Sequence, residues 1–134
     1  VIKQTALELG FEEQQIQTPR KINLETSIEG KNFYDRLQAK SPDFLVVIAY
    51  GKIMPVSLLE LPTFAPINVH GSLLPQYRGA SPLQSVFLDQ QTQTGITIMH
   101  MDAGMDTGAI VDHLAFKLPF DRTVKTLIEK IQQT

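Results

Sequence analysis

Across residues 2–9 the apolar side chains Ile2, Ala6, Leu7 and Leu9 fall near helical spacing, and Gly10 follows where a C-terminal cap belongs. The pattern predicts a short helix. Residues 16–18 read as a brief strand before Pro19, and residues 20–30 carry no strong period and read as loop. Phe33 and Leu37 mark a second helix over 32–40, stopped by Ser41 and Pro42 because the residue before a proline avoids helical backbone. Residues 44–50 form an apolar run without alternation, from Phe44 to Tyr50, which predicts a strand covered on both faces and the strongest core candidate in the chain.

Gly51 ends that strand, a short helix is expected through Ser57, Leu58 and Leu59, and residues 67–70 read as the next strand, polar at its even positions. Residues 71–79 are loop by composition. A helix over 81–89 places Leu83, Val86 and Phe87 on one side, and Pro82 suits its first turn. Residues 95–101 alternate as a strand, 102–108 are rich in turn residues, and 110–118 form another strand. Asp121 is placed to cap a last helix, in which Val124, Leu127, Ile128 and Ile131 have helical spacing. Helices alternating with strands early, then two strands close together, predict an α/β domain. Its sheet is expected to be mainly parallel, with helices on both faces and an antiparallel addition.

Composition narrows the class. A chain of 134 residues with 43% hydrophobic and 19% charged content is one ordinary globular domain in size and balance. It contains no cysteine, which rules out disulfides and thiolate zinc sites. Twelve basic and 14 acidic residues give a net charge of -2, so no global positive field gathers nucleic acid and any RNA contact must be local. The sequence shows neither a long apolar span nor a secretory signal pattern, and the expected location is the cytoplasm. A monomer is expected, without membrane contact.

Candidate chemistry concentrates between Asn68 and Gly108, in two polar, glycine-bearing loops that each follow a strand. Open α/β sheets bind ligands outside the carboxyl ends of their strands, so the two loops are expected to meet at one crevice. His70 ends a strand and leads into a glycine turn, and imidazole carries a proton near neutral pH. Asn68, two residues earlier on the same strand, shares its face. A carboxamide beside an imidazole suits a reaction in which a carbonyl oxygen becomes negative, as in acyl transfer. A carboxylate is then wanted beside the imidazole, and Asp102 or Asp106 could supply it; spacing does not choose between them. His100 and His113 read as solvated strand positions. The three histidines lack metal-ligand spacing, no phosphate-binding glycine loop is present, and Ser72 lacks the strand-turn-helix setting of a hydrolase nucleophile.

The stretch Ile67-Asn68-Val69-His70-Gly71-Ser72-Leu73-Leu74-Pro75-Gln76-Tyr77-Arg78-Gly79 resembles a signature of the folate-dependent formyltransferase family, and residues 101–108 resemble its second signature. The resemblance implies a Rossmann-like fold and a catalytic trio of Asn68, His70 and Asp106, thereby preferring Asp106 to Asp102. It implies 10-formyltetrahydrofolate as formyl donor and no metal, with folate contacts at Ile53, Met54, Ser72, Leu73, Leu74, Pro75, Asp102, Ala103 and Gly104. Residues 50–55, 77–84 and 94–99 are most similar to the branch of the family that formylates initiator methionyl-tRNA, which makes that tRNA the expected partner; the alternatives are a family member acting on an amino sugar nucleotide, one that hydrolyses formyltetrahydrofolate, or a folate-binding remnant without catalysis. Arg78 is left between bracing its own loop and facing the tRNA acceptor end. The family pattern also implies sheet elements before residue 1 and a C-terminal tRNA-binding domain. Residues 1–134 are therefore read as part of a formyltransferase catalytic domain.

Overall fold

A computed structural model describes residues 2–118, 121 and 123–133. The chain forms two compact units, residues 1–41 and 42–134. The first holds α1 (Ile2–Glu8), a 3-10 turn (Glu13–Gln15) and α2 (Ile28–Gln38). Gly10, at a φ of 90°, closes α1 while the Phe11 N–H donates to Ala6 O at 3.0 Å, as the helical spacing predicts. Residues 16–18 are not a strand; the Ile16 N–H is taken by Glu13 O at 3.1 Å in the turn, and the three residues join no ladder. Helix α2 starts four residues earlier than its apolar pattern indicates, because Ser27 caps it by accepting from Gly30 N at 3.2 Å. Gly30 is required by close approach, since a Cβ there would overlap the Asn23 carbonyl.

The second unit is built on four strands, β1 (Phe44–Ile48), β2 (Ala65–His70), β3 (Gln93–His100) and β4 (Ile110–Lys117), in that spatial order. Helices α3 (Val56–Leu59), α4 (Pro82–Leu88) and α5 (Val124–Gln132) connect and follow them. The α/β class is as expected, but the balance of the sheet is not: β1 and β2 run parallel, whereas β2–β3 and β3–β4 are antiparallel. Apolar periodicity tells which side chains share a face, and strand direction is decided by how the connections return, which the pattern does not encode.

Strand β1 departs from expectation in a second way. Leu45 and Val47 are half-buried, but Phe44, Val46 and Ile48 on the opposite face are 50%, 58% and 64% exposed. An uninterrupted apolar run permits burial on both faces without requiring it. The core lies instead among Leu58, Leu59, Ala65, Leu74, Val86, Met99 and Leu127. Leu58 is fully buried, so Leu58→Ala is expected to cost about 2–5 kcal/mol through lost transfer energy and a residual cavity, read as a lower urea midpoint at unchanged slope.

At α5 the capping residue is Thr123, whose hydroxyl accepts from Thr126 N at 3.2 Å. Asp121, the expected cap, accepts instead from the Thr126 hydroxyl at 2.7 Å. Asp121 stands two positions before Thr123, and it is Thr123 that reaches the third N–H of the helix. Among the described residues no helix is long and apolar enough to cross a membrane.

Candidate active site

Alternation along β2 turns Asn68 and His70 to one face, and the antiparallel register adds Met99 beside Asn68 and Thr97 beside His70. His70 is 6% exposed and Thr97 fully buried, so this is the covered side of the sheet. Asp106 comes from the loop after β3. Because β3 is antiparallel to β2, that loop leaves beside the amino end of β2, where Met101 N donates to Pro66 O at 2.9 Å. The two loops therefore do not leave from the same end of β2, as the strand-end rule for parallel sheets anticipates; by residue 106 the chain has returned to Asn68 and His70.

Three contacts fix the Asp106 carboxylate. Asn68 Nδ2 donates to its Oδ1 at 3.3 Å, Gly79 N donates to its Oδ2 at 2.9 Å, and His70 Nδ1 lies 3.6 Å from the same Oδ2. The last separation is an ion-pair distance, longer than a hydrogen bond. The Asp106 side chain is 14% exposed, and its backbone is left-handed at a φ of 53°, a region that aspartate tolerates better than most residues. Asp102 is exposed and engaged within its own loop, accepting from Gly104 N at 2.9 Å and from the Thr107 hydroxyl at 2.6 Å. Of the two carboxylates that spacing left open, Asp106 is the one against the imidazole.

The other ring nitrogen, His70 Nε2, is 2.8 Å from Tyr77 O. Ser72 is fully buried and its hydroxyl donates to Gln76 O at 2.8 Å, so the side chain braces the loop and does not line an open surface. Leu74 is 8% exposed and packs in the core, Leu73 is half-buried, and Pro75, joined to Leu74 by a cis peptide, is exposed. Ala103 and Gly104 are exposed in the loop that carries Asp106, and in the segment after β1 Met54 is half-buried while Ile53 is 84% exposed. Ile53 is thus not a core residue. His100 and His113 are exposed strand positions, as expected. Among the described residues no group of three or more His, Asp or Glu is placed to hold a metal ion.

Sequence reasoning passed over Thr97. Its hydroxyl donates to Ser72 O at 2.6 Å and accepts from Leu74 N at 3.0 Å, tying the loop after β2 to β3. A threonine between Ile96 and Ile98 on the inward side of an apolar strand was the available signal. Thr97→Val keeps shape but strands two buried main-chain groups. It is expected to lower stability by roughly 1–3 kcal/mol, with Thr97→Ser recovering most of the loss in the same denaturation experiment.

Taken together, the site offers an amide donor, an imidazole and a carboxylate that accepts from the amide and lies beside the imidazole, a set suited to stabilising an oxyanion and moving a proton. The family described as formyl transferase matches residues 11–134. The chain is 45% identical over 103 residues to the methionyl-tRNA formyltransferase of Caldicellulosiruptor saccharolyticus, covering 77% of this chain and 33% of that protein. With the methionyl-tRNA formyltransferase of Thermodesulfovibrio yellowstonii it is 38% identical over 130 residues, 97% of this chain and 39% of the relative. It thus spans little more than a third of the length of these curated relatives. The crystal structure of phosphoribosylglycinamide formyltransferase from Bacillus halodurans superposes with a TM-score of 0.70 at 30% identity, covering 82% of this chain and 59% of that one.

Proposed function

Because the chain belongs to the formyl transferase family, we propose that Asn68, His70 and Asp106 carry out formyl transfer from 10-formyltetrahydrofolate to the amino group of initiator methionyl-tRNA. The observation that carries this reading is the meeting of the three side chains around the Asp106 carboxylate. The tRNA acceptor is supported by relatives named methionyl-tRNA formyltransferase at 38% to 45% identity.

The donor supplies a formyl carbon; the amine nitrogen bonds to it, the carbonyl becomes an oxyanion, and the carbon–nitrogen bond to the folate then breaks as that nitrogen takes a proton. Asn68 Nδ2 has two hydrogens and uses one on Asp106, which leaves the other for the oxyanion. His70, when protonated, adds the Nδ1–H as a second donor. Asp106 is the acceptor for the proton that the attacking amine must lose. The chain's own residues suit a folate: Ile53 and Met105 present apolar side chains that are 84% and 62% exposed, and the exposed main chain of residues 102–105 offers polar groups to a pterin. Ser72 and Leu74 are buried and brace the loop after β2.

The acceptor is tested by incubating the protein with 10-formyltetrahydrofolate and, in parallel, initiator methionyl-tRNA, glycinamide ribonucleotide, an amino sugar nucleotide, or no acceptor. Formylmethionyl-tRNA as the main product is the expected result. Formylation of glycinamide ribonucleotide or of the sugar alone, or release of formate with no acceptor, would overturn the tRNA assignment while keeping the formyl donor. Folate binding in calorimetry without any product would reduce the chain to a binding unit.

A further inference from the structure

Building on the reading of His70 as part of a formyl-transfer site, we propose that Ser72 and Tyr77 are positioning residues that hold His70 as its Nε2–H tautomer, with Nδ1 turned to Asp106. A neutral imidazole carries one hydrogen, on either nitrogen. The Tyr77 carbonyl can only accept, so its 2.8 Å bond to Nε2 exists only when the hydrogen is there. With the hydrogen committed to Nε2 in this way, the lone pair of the neutral ring is on Nδ1, the nitrogen 3.6 Å from Asp106 Oδ2.

The carbonyl does not reach the ring by chance of an open loop. Tyr77 has a φ of 57°, a left-handed backbone that few residues other than glycine adopt, so its carbonyl is aimed differently from those of its neighbours. Ser72, fully buried, donates to Gln76 O at 2.8 Å and also to Tyr77 O at 3.3 Å. Ser72 is itself fastened through its own carbonyl to the buried Thr97 hydroxyl at 2.6 Å. Two residues beyond Tyr77, Gly79 N donates to Asp106 Oδ2 at 2.9 Å. The segment Tyr77-Arg78-Gly79 therefore holds the imidazole with a carbonyl and the carboxylate with an N–H. The Tyr77 pKa is raised, first by desolvation and then by the Asp89 carboxylate just past α4, against a smaller opposing effect of Gln91.

The test is nitrogen NMR of protein labelled at its histidines, with His70 assigned by comparison with His70→Gln and observed where its ring is neutral. The wild type is expected to show the Nε2–H pattern. Ser72→Ala and Tyr77→Val are expected to lose it in favour of a mixture, because the first removes the hydroxyl and the second a residue able to hold a left-handed backbone. Tyr77→Gly, which accepts that backbone freely, is expected to keep it. A wild-type ring protonated mainly on Nδ1 would overturn the proposal, as would a wild-type pattern persisting in both Ser72→Ala and Tyr77→Val. Loss of the pattern in Tyr77→Gly would equally remove the backbone from the explanation. The spectrum needs no substrate, so absence of formyl transfer would count against the function and leave the tautomer result standing, and the reverse also holds.

Discussion

Formyl transfer by His70→Ala is expected to fall roughly 10²- to 10⁴-fold, with the loss in kcat and little change in KM. The imidazole is 6% exposed and held between Tyr77 O and Asp106, so its removal deletes one oxyanion donor of the proposed mechanism and takes away the neighbour of the Asp106 carboxylate. Both effects act on the transition state more than on bound substrate, which is why kcat carries the loss. A buried ring replaced by methyl also leaves a void. His70→Gln therefore serves as the companion variant, filling most of the space without titrating. Equal losses in the two would assign the effect to proton and charge; a loss only in the alanine variant would assign it to packing. Steady-state rates with both substrates varied make the distinction.

The second large effect is expected at Gly108, which touches no reacting group. A Cβ on this residue would overlap the His100 carbonyl oxygen, at the point where the loop carrying Asp106 rejoins the sheet and His100 N donates to Ala109 O at 2.9 Å. Backbone cannot move aside as a flexible side chain does, so Gly108→Ala is expected to destabilise by about 1–3 kcal/mol and to shift the loop. Asp106 lies two residues before Gly108 and depends on contacts of 2.9 and 3.3 Å to Gly79 and Asn68. Transfer should drop at least tenfold even at temperatures where the variant is fully folded, because misplacement of about 1 Å can cost on the order of 10²-fold. Thermal unfolding and rate measured on the same preparation check both parts. An unchanged rate with lowered stability would show that the loop tolerates the displacement.

Much of the fold is legible because burial imposes period. The strands at 44–48, 65–70, 93–100 and 110–117 and the helices around Leu58, Val86 and Leu127 lie where apolar spacing puts them. What period lacks is direction and coverage. Nothing in Ile67 or Ile98 tells whether their strands run parallel, and the run from Phe44 to Ile48 reads the same whether one face or two are covered. The brief strand expected at 16–18 has β-favouring side chains but no neighbour to pair with.

At the site, side-chain chemistry was readable and backbone chemistry was not. Asn68 and His70 announce themselves by type and by spacing of two on a strand. The choice of Asp106 over Asp102 depends on a left-handed residue and on the reach of the loop, neither of which residue spacing reveals. The Tyr77 carbonyl and the Gly79 N–H belong to groups that every residue carries, so no letter marks them. Thr97 is intermediate, a polar letter in an apolar strand whose two hydrogen bonds explain its place.

The most direct measurement is single-turnover transfer of labelled formyl from 10-formyltetrahydrofolate to initiator methionyl-tRNA by the protein and its Asp106→Asn variant, with folate affinity measured alongside by calorimetry. Asparagine keeps the shape but can neither take the amine's proton nor counter an imidazolium. The expected result is a rate lowered by roughly 10²-fold or more with folate affinity within about threefold of wild type. A variant that transfers formyl at the wild-type rate would contradict the assignment of Asn68, His70 and Asp106 as the reacting group.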